Sequence, residues 1–355
     1  MNEDIIGVFP EPKDAIGIVI GNSASDLDSI VCSVAYSYLL NKLGENVVPV
    51  LSISKADLLL RTEVTFLFKT LAFNWENLVF SDDSRVGDLQ KKSIKLHLVD
   101  HNKHENSVLS LQEFNLETIV DHHEDEGSSC RGRKCIKMVG SCASLITLLF
   151  KDAIEVNPLF EFPQCLKKML SATIVLDTIN LDSMKGRVTP FDVEMLEYLA
   201  VPQHEAISFE SLMTAKTDIS CLSVYDLLRR DSKSYNSAHG KVCVSSITGA
   251  DWSVFAGKSN ILEDTERYVA TQNISFLVIM LAYHGPDNNF KRFIVFAHGK
   301  HLVTESPLKN MVNELKLNVI SQCIVEKWSV FEQLEVKSSR KVVLPLLKSV
   351  IPPLL

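Results

Sequence analysis

The chain has 355 residues, of which 46% are hydrophobic and 23% are charged, a balance typical of a folded globular protein rather than a disordered one. This length exceeds what one hydrophobic core usually serves, so we expect two domains. The formal net charge of −8 argues against a general nucleic-acid-binding protein, because such proteins rely on a basic surface. The negative charge does not exclude an anionic substrate, since bound cations and a few basic side chains can make one cleft positive.

The sequence shows no sign of membrane insertion or secretion. No apolar run approaches the roughly 20 residues that span a bilayer, and residues 1–12 carry acidic side chains and no basic region. We therefore expect a cytoplasmic protein that does not bind membranes. The cysteines agree, because most of them stand singly in apolar stretches. Only Cys130 and Cys135 lie close together, which leaves a zinc site or a disulfide there as a minor alternative.

In the first half, apolar runs that predict strands alternate with segments of helical spacing. The predicted strands cover residues 16–20, 47–53, 96–99 and 118–120, and the predicted helices cover residues 29–43, 56–71, 140–150 and 165–176. Such alternation is typical of an α/β fold with a mostly parallel sheet covered by helices.

A polar stretch at residues 201–208, which contains Pro202, predicts a linker. We therefore assign residues 1–200 to an N-terminal α/β domain and residues 209–355 to a smaller C-terminal α/β lobe. In that lobe the predicted strands cover residues 241–247, 275–281, 292–297 and 328–334, and the predicted helices cover residues 261–271 and 308–315.

Acidic side chains follow three predicted strands of the first half. Asp26 and Asp28 come after the first strand, Asp100 after the third, and the sequence Asp-His-His at residues 121–123 after the fourth. Because ligands bind outside the carboxyl ends of parallel strands, we expect these groups to meet in one crevice. Carboxylates held a few ångströms apart repel one another unless a cation lies among them.

Oxygen ligands combined with imidazole suit Mg²⁺ or Mn²⁺, and two such ions roughly 3.5–4 Å apart are a standard device for displacement at phosphorus. Each residue alone has a simpler interpretation. Asp28 or Ser29 could cap the following helix, Asp121 could accept a backbone hydrogen bond, and the two histidines could be surface loop residues. The occurrence of these residues at three strand ends favours metal binding over the simpler interpretations.

At these positions the sequence resembles the DHH phosphoesterase superfamily. Residues 121–123 match its signature, residues 26–29 and 98–102 match its earlier motifs in order, and Asp177 matches a fourth acidic position. Residues 140–145 resemble a helix start of the prune and eukaryotic exopolyphosphatase branch. The Ser-Ser-Arg-Lys sequence at 338–341 is similar to the phosphate-clamping motif of the DHHA2 lobe, which family II inorganic pyrophosphatases, exopolyphosphatases and prune proteins share.

The resemblance implies two divalent metal ions, Mg²⁺ or Mn²⁺, and an active site in a cleft between the two lobes. The implied metal ligands are Asp26, Asp28, Asp100, His122 and Asp177. Asp100 would bridge both ions, and His123 would face the substrate phosphate; these two are the implied catalytic residues. The implied substrate-binding residues are Asn22, His123, Arg340, Lys341 and, as a weaker candidate, Lys185. For Lys185 a solvated loop lysine is an equally good interpretation.

Asn22 departs from one branch of the family. Family II pyrophosphatases carry a histidine where this sequence has Asn22, whereas the exopolyphosphatase and prune branch has asparagine. Since asparagine is the poorer ligand for manganese, we expect the first ion to bind more weakly and magnesium to be able to serve. The chain also ends shortly after the Ser-Arg-Lys motif, whereas animal prune proteins usually carry a further tail, so we expect a plain enzyme.

These features predict an exopolyphosphatase that releases terminal orthophosphate from inorganic polyphosphate through attack of a metal-bridging hydroxide. The alternatives are an inorganic pyrophosphatase, a prune-like cyclic-nucleotide phosphodiesterase and a non-catalytic interaction protein that kept the fold. The last is disfavoured because all five implied metal ligands are present. We expect polyphosphate or pyrophosphate as the substrate, no nucleic-acid partner, and a monomer or simple homo-oligomer.

Overall fold

The computed structural model describes residues 5–90, 93–104, 113–285, 289–299, 311–320 and 328–353. The chain divides into two compact units, Met1–Lys216 and Thr217–Leu355. The linker at residues 201–208 and the domain limits drawn from it stay a prediction.

A parallel sheet of six described strands forms the first unit. Its strands are β1 (Gly17–Ile20), β2 (Val47–Leu51), β3 (Val79–Phe80), β4 (Ile94–Val99), β5 (Phe114–Asp121) and β6 (Lys134–Ile136), in the spatial order β3-β2-β1-β4-β5-β6. The predicted parallel sheet is therefore confirmed. The edge strands β3 and β6 were not predicted, because two or three residues are too few to show a periodicity.

Seven α-helices accompany this sheet in the described residues. They are α1 (Leu27–Lys42), α2 (Thr62–Thr70), α3 (Val86–Gln90), α4 (Cys142–Val156), α5 (Gln164–Asp177), α6 (Pro190–Leu199) and α7 (Phe209–Thr217). No helix in the described part of the chain combines the length and apolar character needed to cross a bilayer. The seven cysteines within the described residues are all free, so Cys130 and Cys135 form no disulfide.

The helix predicted at residues 56–71 is interrupted at Arg61. Ala56–Leu60 is a 3₁₀ helix and α2 begins at Thr62. The guanidinium of Arg61 donates hydrogen bonds to the carbonyl oxygens of Ala24 and Ser25, in the loop that leads from β1 into α1. Arg61, at the break between the two helices, therefore holds this loop in place. The helical spacing of residues 56–71 did not indicate such a break.

Neighbouring residues of the central strands pack on opposite faces of the sheet. Val19 contributes to a core that contains buried residues of α1, α4 and α5, whereas Ile18 and Ile20 contribute to a second core on the other face. Every residue from Leu27 to Leu40 in α1 is buried. Because α1 is covered on all sides, its polar residues at the N-terminal end have fixed positions in the interior.

The second unit contains a mixed sheet. Its described strands are β7 (Ser232–Ser237), β8 (Gly240–Thr248), β9 (Ile274–His284), β10 (Phe290–His298), β11 (Leu317–Val319) and β12 (Ser329–Gln333), in the order β11-β12-β10-β9-β8-β7. Only β8 and β9 pair in parallel; the other described pairs are antiparallel. The connection from β9 to β10 is too short for a parallel crossover, so these strands pair as a hairpin.

The helices of the second unit are α8 (Val224–Arg230), α9 (Trp252–Ala256), α10 (Ile261–Thr271) and α11 (Arg340–Val350). The predicted helix at residues 261–271 is confirmed. The one predicted at residues 308–315 falls partly outside the described residues, and residues 311–314 are helical. The expected smaller α/β lobe is therefore present, although its sheet is mainly antiparallel.

Candidate metal centre

The candidate site lies at the carboxyl ends of three adjacent strands. In the sheet, β4 lies between β1 and β5, so the segments that follow these strands come together at one edge. Asn22 follows β1, Asp100 follows β4, and Asp121 is the last residue of β5, directly before His122. The sheet order thus brings together residues separated by about a hundred positions in the sequence.

Asp100 has a left-handed backbone conformation, with a φ of 62°. For a residue with a Cβ this conformation carries strain, and it persists only where the surroundings impose it. The Asn22 amide donates hydrogen bonds to Asp100 Oδ2 at 2.7 Å and to the Asp100 carbonyl oxygen at 3.0 Å, while the Asp100 N–H donates to the Val120 carbonyl at 2.9 Å. Asn22 therefore fixes the orientation of the buried Asp100 carboxylate.

Two aspartates stand at the start of α1 in different roles. Asp26, rather than Asp28 or Ser29, caps the helix: its Oδ1 accepts a hydrogen bond from the Ser29 N–H at 3.2 Å. The Asp28 carboxylate is buried and accepts hydrogen bonds from the Cys142 and Ala143 N–H groups at 2.7 and 2.9 Å. These amides open α4, so the N-terminus of that helix stabilises the negative charge of Asp28.

The two histidines of the signature point to different partners. His122 Nδ1 lies 3.0 Å from the Val139 carbonyl oxygen, which indicates that Nδ1 carries the proton. Its Nε2 lies 3.2 Å from Asp100 Oδ1 and 3.7 Å from Asp28 Oδ2. A backbone carbonyl that holds one imidazole nitrogen while the other faces carboxylates is the usual arrangement of a metal-binding histidine.

Asp121 orients His123. The buried Asp121 accepts hydrogen bonds at Oδ1 from the His123 N–H at 3.2 Å and from His123 Nδ1 at 2.8 Å, and Asn102 donates to its Oδ2. The side-chain hydrogen bond between His123 and Asp121 raises the pKa of His123, although partial burial alone would lower it. The aspartate of the signature therefore accepts the backbone hydrogen bond that the simpler interpretation allowed, and it also favours a protonated His123.

Asp177, the last residue of α5, completes the acidic cluster. Its Oδ2 is buried and has no hydrogen-bond partner within the described residues. Burial, followed by the negative charges of Asp28 and Asp26, raises the pKa of Asp177 well above its usual range. A buried carboxylate oxygen without a donor is costly unless a cation binds it.

The electrostatics of the cluster fit a divalent cation. Burial, reinforced by neighbouring carboxylates, raises the pKa of Asp28 and of Asp100 to about 6. Burial alone would lower the pKa of His122, but the hydrogen bond with Asp100 and the charges of Asp28 and Asp100 raise it to about 10. Ligand atoms of Asp100, His122 and His123 all lie within 4.8 Å of one another. Carboxylate oxygens with imidazole suit Mg²⁺ or Mn²⁺.

These side chains line a cavity of about 430 Å³. Its lining includes the predicted residues Asn22, Asp26, Asp28, Asp100, His122, His123 and Asp177. It also includes Glu124 and Arg187, which the sequence patterns did not single out. Lys185 is exposed and does not belong to the lining. Arg187 could have been found only by noticing a second basic residue in the segment after Asp177.

Arg340 and Lys341 belong to the second unit, at the start of α11. The Ser339 hydroxyl caps this helix and accepts a hydrogen bond from the Lys341 N–H at 3.4 Å. The Arg340 guanidinium lies 2.7 Å from Asp231 Oδ1 and donates to the Asp231 carbonyl oxygen at 2.8 Å. Nothing in the sequence pattern indicated this ion pair.

Two family models match the chain, one in its N-terminal part and one in its C-terminal part. The model of the DHH family N-terminal domain matches residues 17–175, and the model of the DHHA2 domain matches residues 210–350. The chain therefore carries a DHH family N-terminal domain and a DHHA2 domain, which confirms the resemblance noted in the sequence.

The relatives carry phosphohydrolase names. The chain is 33% identical to exopolyphosphatase PRUNE1 of Homo sapiens, over 76% of this chain and 60% of that protein. It is 29% identical to a Schizosaccharomyces pombe protein assigned as an exopolyphosphatase, over 94% of this chain and 90% of that protein. It is 25% identical to a protein assigned as a manganese-dependent inorganic pyrophosphatase of Lactiplantibacillus plantarum, over 78% of this chain and 85% of that protein.

The fold also has a relative among solved structures. A Methanococcus jannaschii structure assigned as a family II inorganic pyrophosphatase matches with a TM-score of 0.55 and 21% identity, over 94% of this chain and 99% of that one. At this identity the likeness concerns the fold. The chain spans about 60% of the length of the human relative.

Asp177→Asn is expected to stabilise the protein after chelation, because it removes an unpaired buried charge and supplies a donor beside Asp28. We expect the free energy of unfolding at pH 8 to increase by about 1 kcal/mol, which corresponds to roughly 2–4 °C in Tm. The raised pKa of Asp177 means that its ionised form costs stability increasingly as the pH rises above about 4, so the gain should shrink at pH 5. Differential scanning fluorimetry at both pH values measures it.

Glu197→Gln is the matched control, since Glu197 is exposed on α6 and the substitution removes the same charge. Its Tm should equal that of the wild type with and without metal. Adding Mn²⁺ should raise the Tm of the wild type more than that of Asp177→Asn. A lower Tm for chelated Asp177→Asn at pH 8 would contradict the proposed charge repulsion.

Proposed function

We propose that this chain is a metal-dependent exopolyphosphatase that releases terminal orthophosphate from inorganic polyphosphate. The observation that carries the proposal is the cluster of Asp28, Asp100 and His122 Nε2 on one cavity, beside an Asp177 carboxylate oxygen that has no partner in the described part of the chain. Such a set of ligands, facing a solvent-connected cavity, suits divalent ions engaged in catalysis at phosphorus. We propose two ions, Mg²⁺ or Mn²⁺, with Asp26 as a further ligand and Asp100 between them.

When bound, such ions acidify water and neutralise negative charge on phosphoryl oxygens. The protein's own residues supply position and protons. The amides that open α4 hold Asp28, and Asn22 holds Asp100, so the carboxylates keep their places when ions exchange. His123 faces the cavity with its Nδ1 bound to Asp121, which leaves Nε2 to donate a proton to the departing phosphate.

Arg340 and Lys341 are proposed phosphate ligands on the strength of the family motif. Arg340 would have to exchange Asp231 for a phosphate group. The Asp231 side chain is 56% exposed, and ion pairs at the surface contribute little, so the exchange costs little. Bidentate hydrogen bonds from guanidinium to phosphate are the stronger interaction.

The cytoplasmic location expected from the sequence also stays a proposal.

Inorganic pyrophosphatase is the second candidate function, since the Lactiplantibacillus plantarum relative carries that name. Asn22 is the feature that separates the two. Its amide donates to Asp100, where the histidine-bearing branch of the family has an imidazole. Together with the higher identity to PRUNE1, this favours polyphosphate over pyrophosphate.

Phosphate release from pyrophosphate, tripolyphosphate and long polyphosphate, measured side by side, tests the function. We expect no release in excess chelator, recovery with Mg²⁺ or Mn²⁺, and faster release from the two longer substrates than from pyrophosphate. Asp100→Ala should lower the rate roughly 10³-fold or more, because it removes the proposed bridging ligand. Full turnover in chelator, or a cyclic nucleotide hydrolysed faster than any phosphoanhydride, would contradict the proposal.

Asn22→His should shift the metal preference toward Mn²⁺ or Co²⁺, because imidazole binds these ions better than an amide does. Asn22 Nδ2 lies 2.7 Å from Asp100 Oδ2, so an imidazole at this position reaches the same ligands. Titration of activity with Mg²⁺, Mn²⁺ and Co²⁺ measures the preference. The rate of pyrophosphate hydrolysis should also rise relative to that of polyphosphate. An unchanged metal profile would show that residue 22 does not reach the metal site.

A further inference from the structure

Arg187 lies on the cavity of the candidate metal centre and has no role in the chemistry described so far. Among the described residues that line this cavity, Arg187 is the only lysine or arginine. The other charged side chains on the lining are the proposed metal ligands, His123 and Glu124. An anionic substrate at this cavity would therefore meet one permanently charged side chain of opposite sign, Arg187, among the described lining residues.

The backbone that carries Arg187 is held firmly against the metal-binding elements. Gly186 has a left-handed conformation, with a φ of 65°, that turns the chain toward Gly140. The Arg187 carbonyl oxygen packs so closely on Gly140 that a Cβ there would lie only 2.6 Å from it. Gly140 directly precedes the N-cap of α4, the helix whose first amides bind Asp28.

Asp192 locks this contact in place. Its carboxylate is fully buried, and its Oδ2 accepts hydrogen bonds from the Gly140 N–H and the Thr189 N–H, each at 2.8 Å. Its Oδ1 accepts a hydrogen bond from the Ser144 hydroxyl at 2.7 Å. The segment that contains Arg187 is thus fixed to both ends of the first turn of α4, so the backbone of Arg187 has a fixed position relative to Asp28.

The Arg187 side chain itself is exposed, and within the described residues it forms no ion pair or hydrogen bond. This is unexpected beside so many carboxylates, since an arginine near acidic groups usually pairs with one of them. Once divalent ions neutralise the ligand carboxylates, a bound phosphate chain brings further negative charge that the ligands cannot offset. The planar guanidinium fork matches two phosphate oxygens.

We propose that Arg187 binds phosphoryl oxygens of the substrate beside the metal ligands. Arg187, rather than Lys185 two residues earlier, is then the phosphate-binding cation of the segment between α5 and α6. The inference rests on the proposed function, because it assumes a phosphate substrate at this cavity.

Isothermal titration calorimetry of the full chain with imidodiphosphate and Mg²⁺ tests the inference without turnover. Arg187→Ala should weaken binding about 10- to 100-fold, and Arg187→Lys should weaken it less, because lysine keeps the charge but loses the fork. Lys185→Ala should change binding far less than Arg187→Ala. The matched control is Arg131→Ala, since Arg131 is also exposed but lies near the start of β5, away from the carboxyl ends of the strands.

Mn²⁺ titration without the anion and Tm should be the same for all variants, because Arg187 is exposed and contacts no ligand. Arg187→Ala binding as tightly as the wild type, or losing Mn²⁺ binding, would overturn the inference. A larger effect from Lys185→Ala than from Arg187→Ala would also overturn it. If the wild type releases phosphate in these cases, the proposed function stands; if it neither binds imidodiphosphate nor releases phosphate, the function fails and the inference fails with it.

Discussion

The mutual repulsion of buried carboxylates at one edge of a parallel sheet is the constraint on which the site depends. Asp28 and Asp100 are buried, and one buried oxygen of Asp177 has no donor among the described residues. The charge of Asp100 raises the cost of ionising Asp28, and that of Asp28 raises the cost of ionising Asp177. A fold that keeps such groups together gives up stability for a binding site. A bound divalent cation would remove the repulsion, with the same carboxylates as its proposed ligands.

The rest of the first unit holds these carboxylates in place against their repulsion. The N-terminal amides of α4 bind Asp28, the Asn22 amide binds Asp100, and the Val139 carbonyl fixes the ring of His122. Each of these contacts comes from a different segment of the chain, so the positions of the proposed ligands depend on the packing of the whole sheet and its helices. Asp192 extends the same support to the segment that carries Arg187. The support for the ligands and the proposed substrate contact thus share α4.

The strands that carry the site could be predicted because β1 is a continuous apolar run, β4 ends in the apolar residues Leu98 and Val99, and polar residues follow closely after both. Their order in the sheet brings Asn22, Asp100 and His122 together, as the parallel alternation indicated. Arg187 could not be predicted in this way, because its place on the cavity depends on the close approach to Gly140 and on the buried hydrogen bonds of Asp192. The ion pair between Arg340 and Asp231 likewise joins residues far apart in the sequence, and the pattern of apolar residues does not indicate such a contact.

Electron paramagnetic resonance of the protein titrated with Mn²⁺ tests the central claim most directly, because it reports both the number of bound ions and their separation. We expect two ions per chain with an exchange-coupled spectrum, as for ions roughly 3.5–4 Å apart, and loss of the coupling in Asp100→Asn. A single isolated Mn²⁺ signal at saturation, or coupling that survives in Asp100→Asn, would contradict it.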